Sequence, residues 1–267
     1  MNDTRSPFSL SGHRALVTGS TSGVGAAIAI ALAQAGSDVC LHGHETTPQA
    51  KDVLKTCRSS GVQAELVIAD LLRRDDSANS LASEVDGVMP EIDLLVNNAG
   101  IYIDVPFLEM TTQRYRDTMR LNVETGFFLT QYFARRWVGK NVRGRVLFTG
   151  SINGFLAEPT HVAYDASKGA VAAMVKSLCV SLAPLGIRVN SIAPGLVRTP
   201  LTDAILATNQ DVLRWMELHT PNGTVPSATA CGGAAVFLLS DAAEHVHGQT
   251  LFIDGGMSVW QQPDLPT

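Results

Sequence analysis

From Arg14 onward, short apolar runs alternate with longer amphipathic stretches. Seven runs rich in Val, Ile and Leu lie at 15–18, 38–42, 63–69, 92–96, 145–149, 188–193 and 250–253. They lack a polar alternation, as strands buried on both faces do. Between the first two, Val24, Ala27, Ile28, Ala31, Leu32 and Ala35 recur at helical spacing, and Gly36 follows as the stop. Thr47 and Pro48 predict the N-cap and first position of the next helix, with Gly61 at its end. A long helix is predicted over about 112–137. Another is predicted over about 163–185, with Val171, Val175, Leu178 and Leu182 on one face and Pro184 at the stop. Strand, helix and strand repeat about six times, which predicts an α/β fold. The expected architecture is a doubly wound parallel sheet of about seven strands, in one domain covering 1–267. The stretch 198–224 breaks the rhythm. It holds Pro200 and Pro221, with Pro226 just beyond, and the apolar Leu201, Leu206, Leu213, Trp215 and Met216, but no strand. It reads as a helical insertion over the sheet edge, a lid for a substrate.

A chain of 267 residues with 45% apolar types has enough core to fold without staples, and disorder is excluded. The formal net charge is −5 and no Lys/Arg run occurs, so nucleic acid is not the expected partner. The densest basic group, Arg135, Arg136, Lys140, Arg143 and Arg145, reads as a solvated helix end. Cys40, Cys57, Cys179 and Cys231 form no C-x-x-C pair and no zinc spacing, and Cys40 and Cys179 read as small core residues. His245 and His247 lack a third ligand, so no metal is expected. The first dozen residues carry no secretory apolar region, and apolar runs stop short of the ~20 residues of a bilayer span. A cytoplasmic protein without a membrane partner is the expectation.

The first strand runs into Thr18-Gly19-Ser20-Thr21-Ser22-Gly23-Val24-Gly25, where a helix begins. Gly19 permits the tight turn, Gly23 lets backbone approach a pyrophosphate, and Gly25 lets helix and strand pack closely. Ser22 and Val24 lie between them at the helix N-terminus, whose free N–H groups suit phosphate. No Lys-Ser/Thr follows, so this is not a Walker A loop.

Further motifs stand in order. Asn97-Asn98-Ala99-Gly100 ends the fourth strand, Asn122 lies in the long helix, and Ser151 follows the fifth strand. Tyr164-Asp165-Ala166-Ser167-Lys168 opens the next helix, thirteen residues after Ser151, and Pro194-Gly195 ends the sixth strand. From about Phe8 to Met257 this pattern resembles the short-chain dehydrogenase/reductase family of roughly 250-residue type. The resemblance implies a Rossmann-type fold and an NAD(P)-dependent oxidoreductase that interconverts an alcohol and a ketone or aldehyde. It implies a catalytic tetrad of Ser151, Tyr164, Lys168 and Asn122. It implies cofactor contacts from Gly19, Ser22, Gly23, Val24, Gly25, Gly43, His44, Asp70, Leu71, Asn98, Ala99, Gly100, Tyr164, Lys168, Pro194, Gly195, Val197 and Thr199, with Asp70 at the adenine.

The chemistry explains the residue types. A carbonyl that accepts hydride needs an acid, and the reverse reaction needs a base. A phenol serves only if its pKa falls from ~10 toward 7, about 4 kcal/mol in favour of the phenolate. Lys168 lies four residues on, on the same helix face as Tyr164, and its ammonium is expected to favour the phenolate and hold ribose hydroxyls. Ser151 is expected to stabilise charge on the substrate oxygen. Asn122 is expected to hold a water linking Lys168 to solvent.

An acid at the end of the second strand would mark NAD, but Gly43 stands there. No Arg or Lys stands where a 2′-phosphate would need one; Ser22 and His44 occupy those places, and Glu45 follows. That balance favours NAD slightly over NADP. Substrate contacts are expected from Asn153, Glu158, His161 and Trp215, beside Phe155, Leu156, Leu201 and Met216. The mixed lining points to a small polar substrate such as a sugar, polyol or hydroxy acid, with a 3-oxoacyl thioester as the main competitor. An epimerase or dehydratase with tightly held NAD would need a longer C-terminal part. A silent nucleotide-binding sensor or scaffold would not need Ser151, Tyr164 and Lys168 together. By the same resemblance the chain is expected to form a homo-oligomer, a tetramer or dimer, through its two long helices and C-terminal strand. The small residues Gly126, Ala134, Ala166 and Ala170 fit that packing, and 260–267 reads as a tail reaching a neighbouring subunit.

Overall fold

The computed structural model describes residues 6–73, 76–199, 203 and 209–260. Seven strands form one parallel sheet: β1 (Arg14–Val17), β2 (Asp38–Gly43), β3 (Ala64–Ile68), β4 (Leu94–Asn97), β5 (Arg145–Thr149), β6 (Arg188–Pro194) and β7 (Thr250–Ile253). Their order is β3-β2-β1-β4-β5-β6-β7. Each lies within about two residues of the apolar run that predicted it. β1 is sealed on both faces, with Ala15, Leu16 and Val17 fully buried, which is why its sequence shows no alternation.

The helices are α1 (Gly23–Gln34), α2 (Pro48–Ser59), α3 (Ser77–Val88), α4 (Thr112–Met119), α5 (Thr125–Lys140), α6 (Val162–Leu182), α7 (Gln210–Leu218) and α8 (Ala230–Leu239). One layer packs Ile28 and Leu32 of α1 with Ala235 and Leu238 of α8. The other packs Leu81 and Val85 of α3, Leu129 and Phe133 of α5, and Val171 and Val175 of α6. The predicted caps of α2 are present: Thr47 accepts a hydrogen bond from the Ala50 N–H at 3.0 Å, and Pro48 is the first helical residue. α3 and α8 were not among the expected helices. The buried positions of α3, Ala78, Leu81, Ala82 and Val85, do keep helical spacing, but among polar residues. α8 is apolar nearly all round, so periodicity could not distinguish it from a strand.

The long predicted helix is interrupted. A π turn, Arg120–Glu124, joins α4 to α5, and the helix continues to Lys140. The wider turn carries Asn122 into the interior. In the 198–224 insertion the described part contains α7. Pro200, Leu201 and Leu206 lie outside the described residues, as does the tail beyond Trp260.

Three other expectations change. The stretch Val162–Leu185 is long and apolar enough to cross a membrane, with a mean hydropathy of 1.3 over its best window. This segment lies against the sheet, with Val171 and Val175 buried and Val180 exposed. Cys179 is only half-buried, whereas Cys57 and Cys231 are core residues beside Cys40. The basic group is largely ion-paired, with Arg136 2.6 Å from Asp86 and Arg145 2.5 Å from Asp241.

Candidate functional site

The strand order reverses between β1 and β4, and two loops diverge there to leave a crevice. One is the glycine loop after β1, the other Asn98-Ala99-Gly100 after β4. They are tied together. Thr18 Oγ1 accepts from the N–H groups of Asn98 and Ala99, at 2.9 and 3.0 Å. The Asn98 amide donates to the carbonyls of Thr18 and Gly19, both at 3.0 Å. Gly19 and Gly23 have φ of +60° and +56°, where a side chain would be strained. Gly25 is needed for contact: a Cβ there would stand 2.3 Å from the Gly19 carbonyl oxygen and 2.4 Å from Asn98 Nδ2.

His42, at the end of β2, is a further member of the site. Its Nε2 lies 2.9 Å from the Ala69 carbonyl, and its Nδ1 accepts from the Gly19 N–H at 3.1 Å. Burial pulls its pKa down to about 4, so the ring is neutral and its Nδ1 remains an acceptor that pins the loop.

A cavity of about 580 Å³ opens over this loop, lined by Gly19, Ser22, Val24, Gly25, Gly43, His44, Asp70, Leu71, Asn98, Ala99 and Gly100, among others. The expected adenosine and phosphate contacts are therefore gathered in one place. The N-terminus of α1 enters the cavity with no side-chain cap and no acidic residue in its first turn. Such an end leaves backbone N–H groups for a pyrophosphate. These residues fit a dinucleotide. At Gly43 a Cβ would lie 2.5 Å from Thr21 Cγ2, so Thr21 occupies the space that an acidic residue would need. His44 and Glu45 stand 3.4 Å apart on the surface.

A second cavity of about 220 Å³ shares Val24, Asn98, Gly100 and Ile101 with the first. It is lined further by Tyr102, Ser151, Tyr164, Lys168, Pro194, Gly195 and Val197. Ser151 follows β5 and caps a short turn, its Oγ accepting from the Asn153 N–H at 3.1 Å. The Ser151 hydroxyl donates to Asn153 Oδ1 at 3.4 Å and stands near enough to the Tyr164 phenol to favour its phenolate. Lys168 is buried, one helical turn along; its Nζ donates to the Thr149 carbonyl at 2.9 Å and lies 5.5 Å from the centre of the Tyr164 ring. Thr199 lies across the cleft from Gly23, within 3.7 Å of where a Cβ would be.

Two expectations about these groups are corrected. Burial raises the Tyr164 pKa, with Asp165 and Glu158 adding to the rise and the Ser151 hydroxyl opposing it. Burial also pulls the Lys168 pKa down to about 8, so Lys168 keeps its ammonium at neutral pH and loses it above that value. In Asn122, both amide hydrogens are committed, to the Ile101 carbonyl at 2.9 Å and to Ser167 Oγ at 3.0 Å, and its Oδ1 accepts from the Ile101 N–H at 2.8 Å. The side chain therefore holds the loop after β4 against α6, and its N–H groups have no room for the expected water.

The expected substrate contacts separate into two groups. Asn153, Glu158 and His161 cluster beside Tyr164, organised by Asp165, which sequence reasoning passed over. Asp165 accepts from the Asn153 amide at 2.8 Å and from the Glu158 N–H at 3.0 Å. Trp215 stands apart, half-exposed and stacked on His219 at 4.1 Å, and does not line the cleft. Met216 is buried in packing. Among the described residues no group of three or more metal-ligating side chains occurs.

The arrangement has known counterparts. The profile of the family described as "Enoyl-(Acyl carrier protein) reductase" matches residues 19–258. Gluconate 5-dehydrogenase of Gluconobacter oxydans (strain 621H) is 35% identical, over 94% of this chain and 97% of that protein. A 3-oxoacyl-(acyl-carrier-protein) reductase of Aquifex aeolicus (strain VF5) is 34% identical, over 93% and 98%. The crystal structure of a gluconate 5-dehydrogenase from Burkholderia cenocepacia J2315, in complex with NADP and tartrate, superposes with a TM-score of 0.87. It is 33% identical and covers 96% of this chain and 98% of its own.

Proposed function

The chain belongs to the short-chain dehydrogenase/reductase family, and from that premise we propose that it oxidises and reduces a small polyhydroxylated substrate, with Tyr164 as acid and base. The carrying observation is the junction of two cavities. A cleft fit for a dinucleotide opens directly onto the pocket where Ser151, Tyr164 and Lys168 meet. A nicotinamide dinucleotide bound there supplies or accepts the hydride. The protein supplies position and a proton. In reduction Ser151 would donate a hydrogen bond to the carbonyl oxygen, and Tyr164 would give that oxygen its proton. Lys168, held by the Thr149 carbonyl, would hold the ribose hydroxyls of the cofactor and favour the phenolate left on Tyr164. Gly19, Gly23 and the N-terminus of α1 hold the pyrophosphate, and Pro194, Gly195, Val197 and Thr199 close the nicotinamide end. Asn122 is a positioning residue. Formation of reduced nicotinamide from a panel of sugars, polyols and hydroxy acids tests the reading; no turnover with any of them defeats it.

Relatives act on sugar acids and on an acyl thioester by name. Asn153, Glu158 and His161 do not line the cavity themselves, but the hydroxyls of Tyr102, Ser151 and Tyr164 do, and these favour a hydroxylated substrate over an acyl chain. The described part of the 198–224 insertion stands as the lid, with α7 as its ordered helix. The cofactor is NAD(P). The lean toward NAD is not supported: the Burkholderia cenocepacia relative carries NADP. Gly43 presents no carboxylate to repel a 2′-phosphate, so NADP is accepted in this reading.

The pH dependence follows from Lys168. Its folded pKa is depressed to about 8, so the ammonium is present below that value and lost above it. The kcat/KM for reduction should therefore fall about tenfold per pH unit above pH 8, one ionisation. A profile flat to pH 10 contradicts this role. Stability has the opposite sign: above pH 8 the unfolded chain binds more protons than the fold, so this group makes stability rise with pH toward the ordinary lysine value.

Assembly follows from the outer face of α5 and α6. Phe127, Val138 and Leu185 are exposed there, flanking a groove lined by Ala134, Leu178 and Leu182. Apolar exposure on this scale on two long helices suits an interface between copies of the chain. A dimer or tetramer is expected in analytical ultracentrifugation, and Val138→Glu should shift it toward monomer. Four unpaired thiols suit a reducing compartment, hence the cytoplasm.

A further inference from the structure

Two loops meet above Tyr164. Residues 101–105 follow the Asn98-Ala99-Gly100 turn, and residues 157–161 precede α6. The Val105 N–H donates to the Thr160 carbonyl at 3.1 Å and clamps them together. Across the seam the Tyr102 hydroxyl meets His161 Nε2, and the two rings stand edge to face at 4.7 Å and 73°. The Tyr102 ring stands in the same way against Tyr164, at 5.3 Å and 82°. Both phenols line one cavity.

His161 is 6% exposed, and its buried Nδ1 has no hydrogen-bond partner. Carboxylates flank the ring. Glu158 Oε1 lies 3.4 Å from Nδ1, and Asp104 Oδ1 lies 3.7 Å from Nε2. The nearer carboxylate favours the ring proton on Nδ1, which leaves Nε2 as an acceptor. Tyr102 then donates its single hydrogen to Nε2, and the phenol oxygen is left to accept. Burial and the neighbouring carboxylates push the Tyr102 pKa up to about 12, so it keeps that hydrogen at working pH. Among the described residues, Lys168 is the one basic group in the lining of the cavity. The segment from Thr199 to Leu213 contains no Lys or Arg.

We propose that Tyr102, seated by His161, is a specificity-determining residue that accepts a hydrogen bond from a substrate hydroxyl on the carbon next to the reacting one. The inference rests on the oxidoreductase reading and narrows its substrate to a vicinal diol and the matching α-hydroxyketone. A vicinal oxygen lies within hydrogen-bond distance of the reacting oxygen, which is the reach of a phenol packed edge-on against Tyr164. A carboxylate at that carbon has no hydrogen to donate and meets Asp104 and Glu158 besides. The methylene next to the carbonyl of a 3-oxoacyl thioester offers no donor either. Tyr102 is 49% exposed, so an acceptor left unmatched there keeps some contact with water, and the discrimination rests on the hydrogen bond that a vicinal hydroxyl adds.

The test compares butane-2,3-diol, butan-2-ol and lactate, with both nicotinamides, in the wild-type protein and in Tyr102→Phe. The wild type should prefer the diol to butan-2-ol by about tenfold or more in kcat/KM, with lactate no better than butan-2-ol. Tyr102→Phe should bring the diol preference to within about threefold, mainly by raising KM for the diol. His161→Leu should weaken the same preference. A preference unchanged in Tyr102→Phe overturns the proposal. Equal losses on both alcohols also overturn it, since they mark a purely structural role. Lactate or butan-2-ol oxidised as well as the diol by the wild type overturns the assignment of Tyr102 alone. Turnover of none of the three, nor of any polyol, overturns the oxidoreductase reading beneath it.

Discussion

Tyr164→Phe should lower turnover about a thousandfold and leave the dissociation constant for the nicotinamide dinucleotide within about threefold. The change removes one oxygen from a ring whose packing against Tyr102 is preserved. What disappears is the proton donor that shares the cavity with Ser151. The dinucleotide cavity is lined by other residues, so binding persists. Stopped-flow kinetics beside a fluorescence titration of the reduced cofactor separates the two quantities. If turnover survives, Tyr164 is not the acid; if binding collapses as well, its part is structural.

Gly25→Ala should weaken dinucleotide binding at least about a hundredfold and cost about 2 kcal/mol of stability, a fall in Tm of about 5 °C. The added Cβ would stand 2.3 Å from the Gly19 oxygen and 2.4 Å from the Asn98 amide. Both belong to the tie between the two loops of the crevice, and the first is main chain that cannot swing aside. The loop has to shift, and the positions of its N–H groups shift with it. Gly139→Ala is the control. It lies on the exposed side of α5 with nothing within 4 Å of the new atom, and should stabilise slightly, by about 0.5–1 kcal/mol. Calorimetry and cofactor titration on the pair check both; equal behaviour of the two variants contradicts the account of the loop.

The sheet was legible because its strands are buried on both faces, so their apolar runs stand out against amphipathic helices. The glycine loop and the Tyr164 and Lys168 pair were legible because local geometry sets their spacing. Features that depend on distant contacts were hidden. His42 pins the loop through a residue 23 positions away, and Tyr102 meets His161 across 59. Neither has a local signature. Asn122 was found, but its surroundings were not: the π turn depends on the packing of α5 and α6 against the loop after β4. Trp215 stacks on His219 within and just after α7 rather than lining the cleft, and the composition of the insertion does not say where its helix lies. The acidity of Tyr164 was misjudged for a physical reason. Spacing puts an ammonium nearby, but burial, which spacing cannot reveal, opposes the phenolate and lowers the pKa of the amine.

The claim on which the rest depends is direct hydride transfer at the joined cavities. It is tested by reducing a hydroxyketone with nicotinamide cofactor deuterated on each face of C4 in turn, and analysing the product by mass spectrometry. One face should deliver a single deuterium to the carbinol carbon, with none taken up there from solvent. Product free of deuterium from both faces, or labelled at that carbon from deuterated water, contradicts the account.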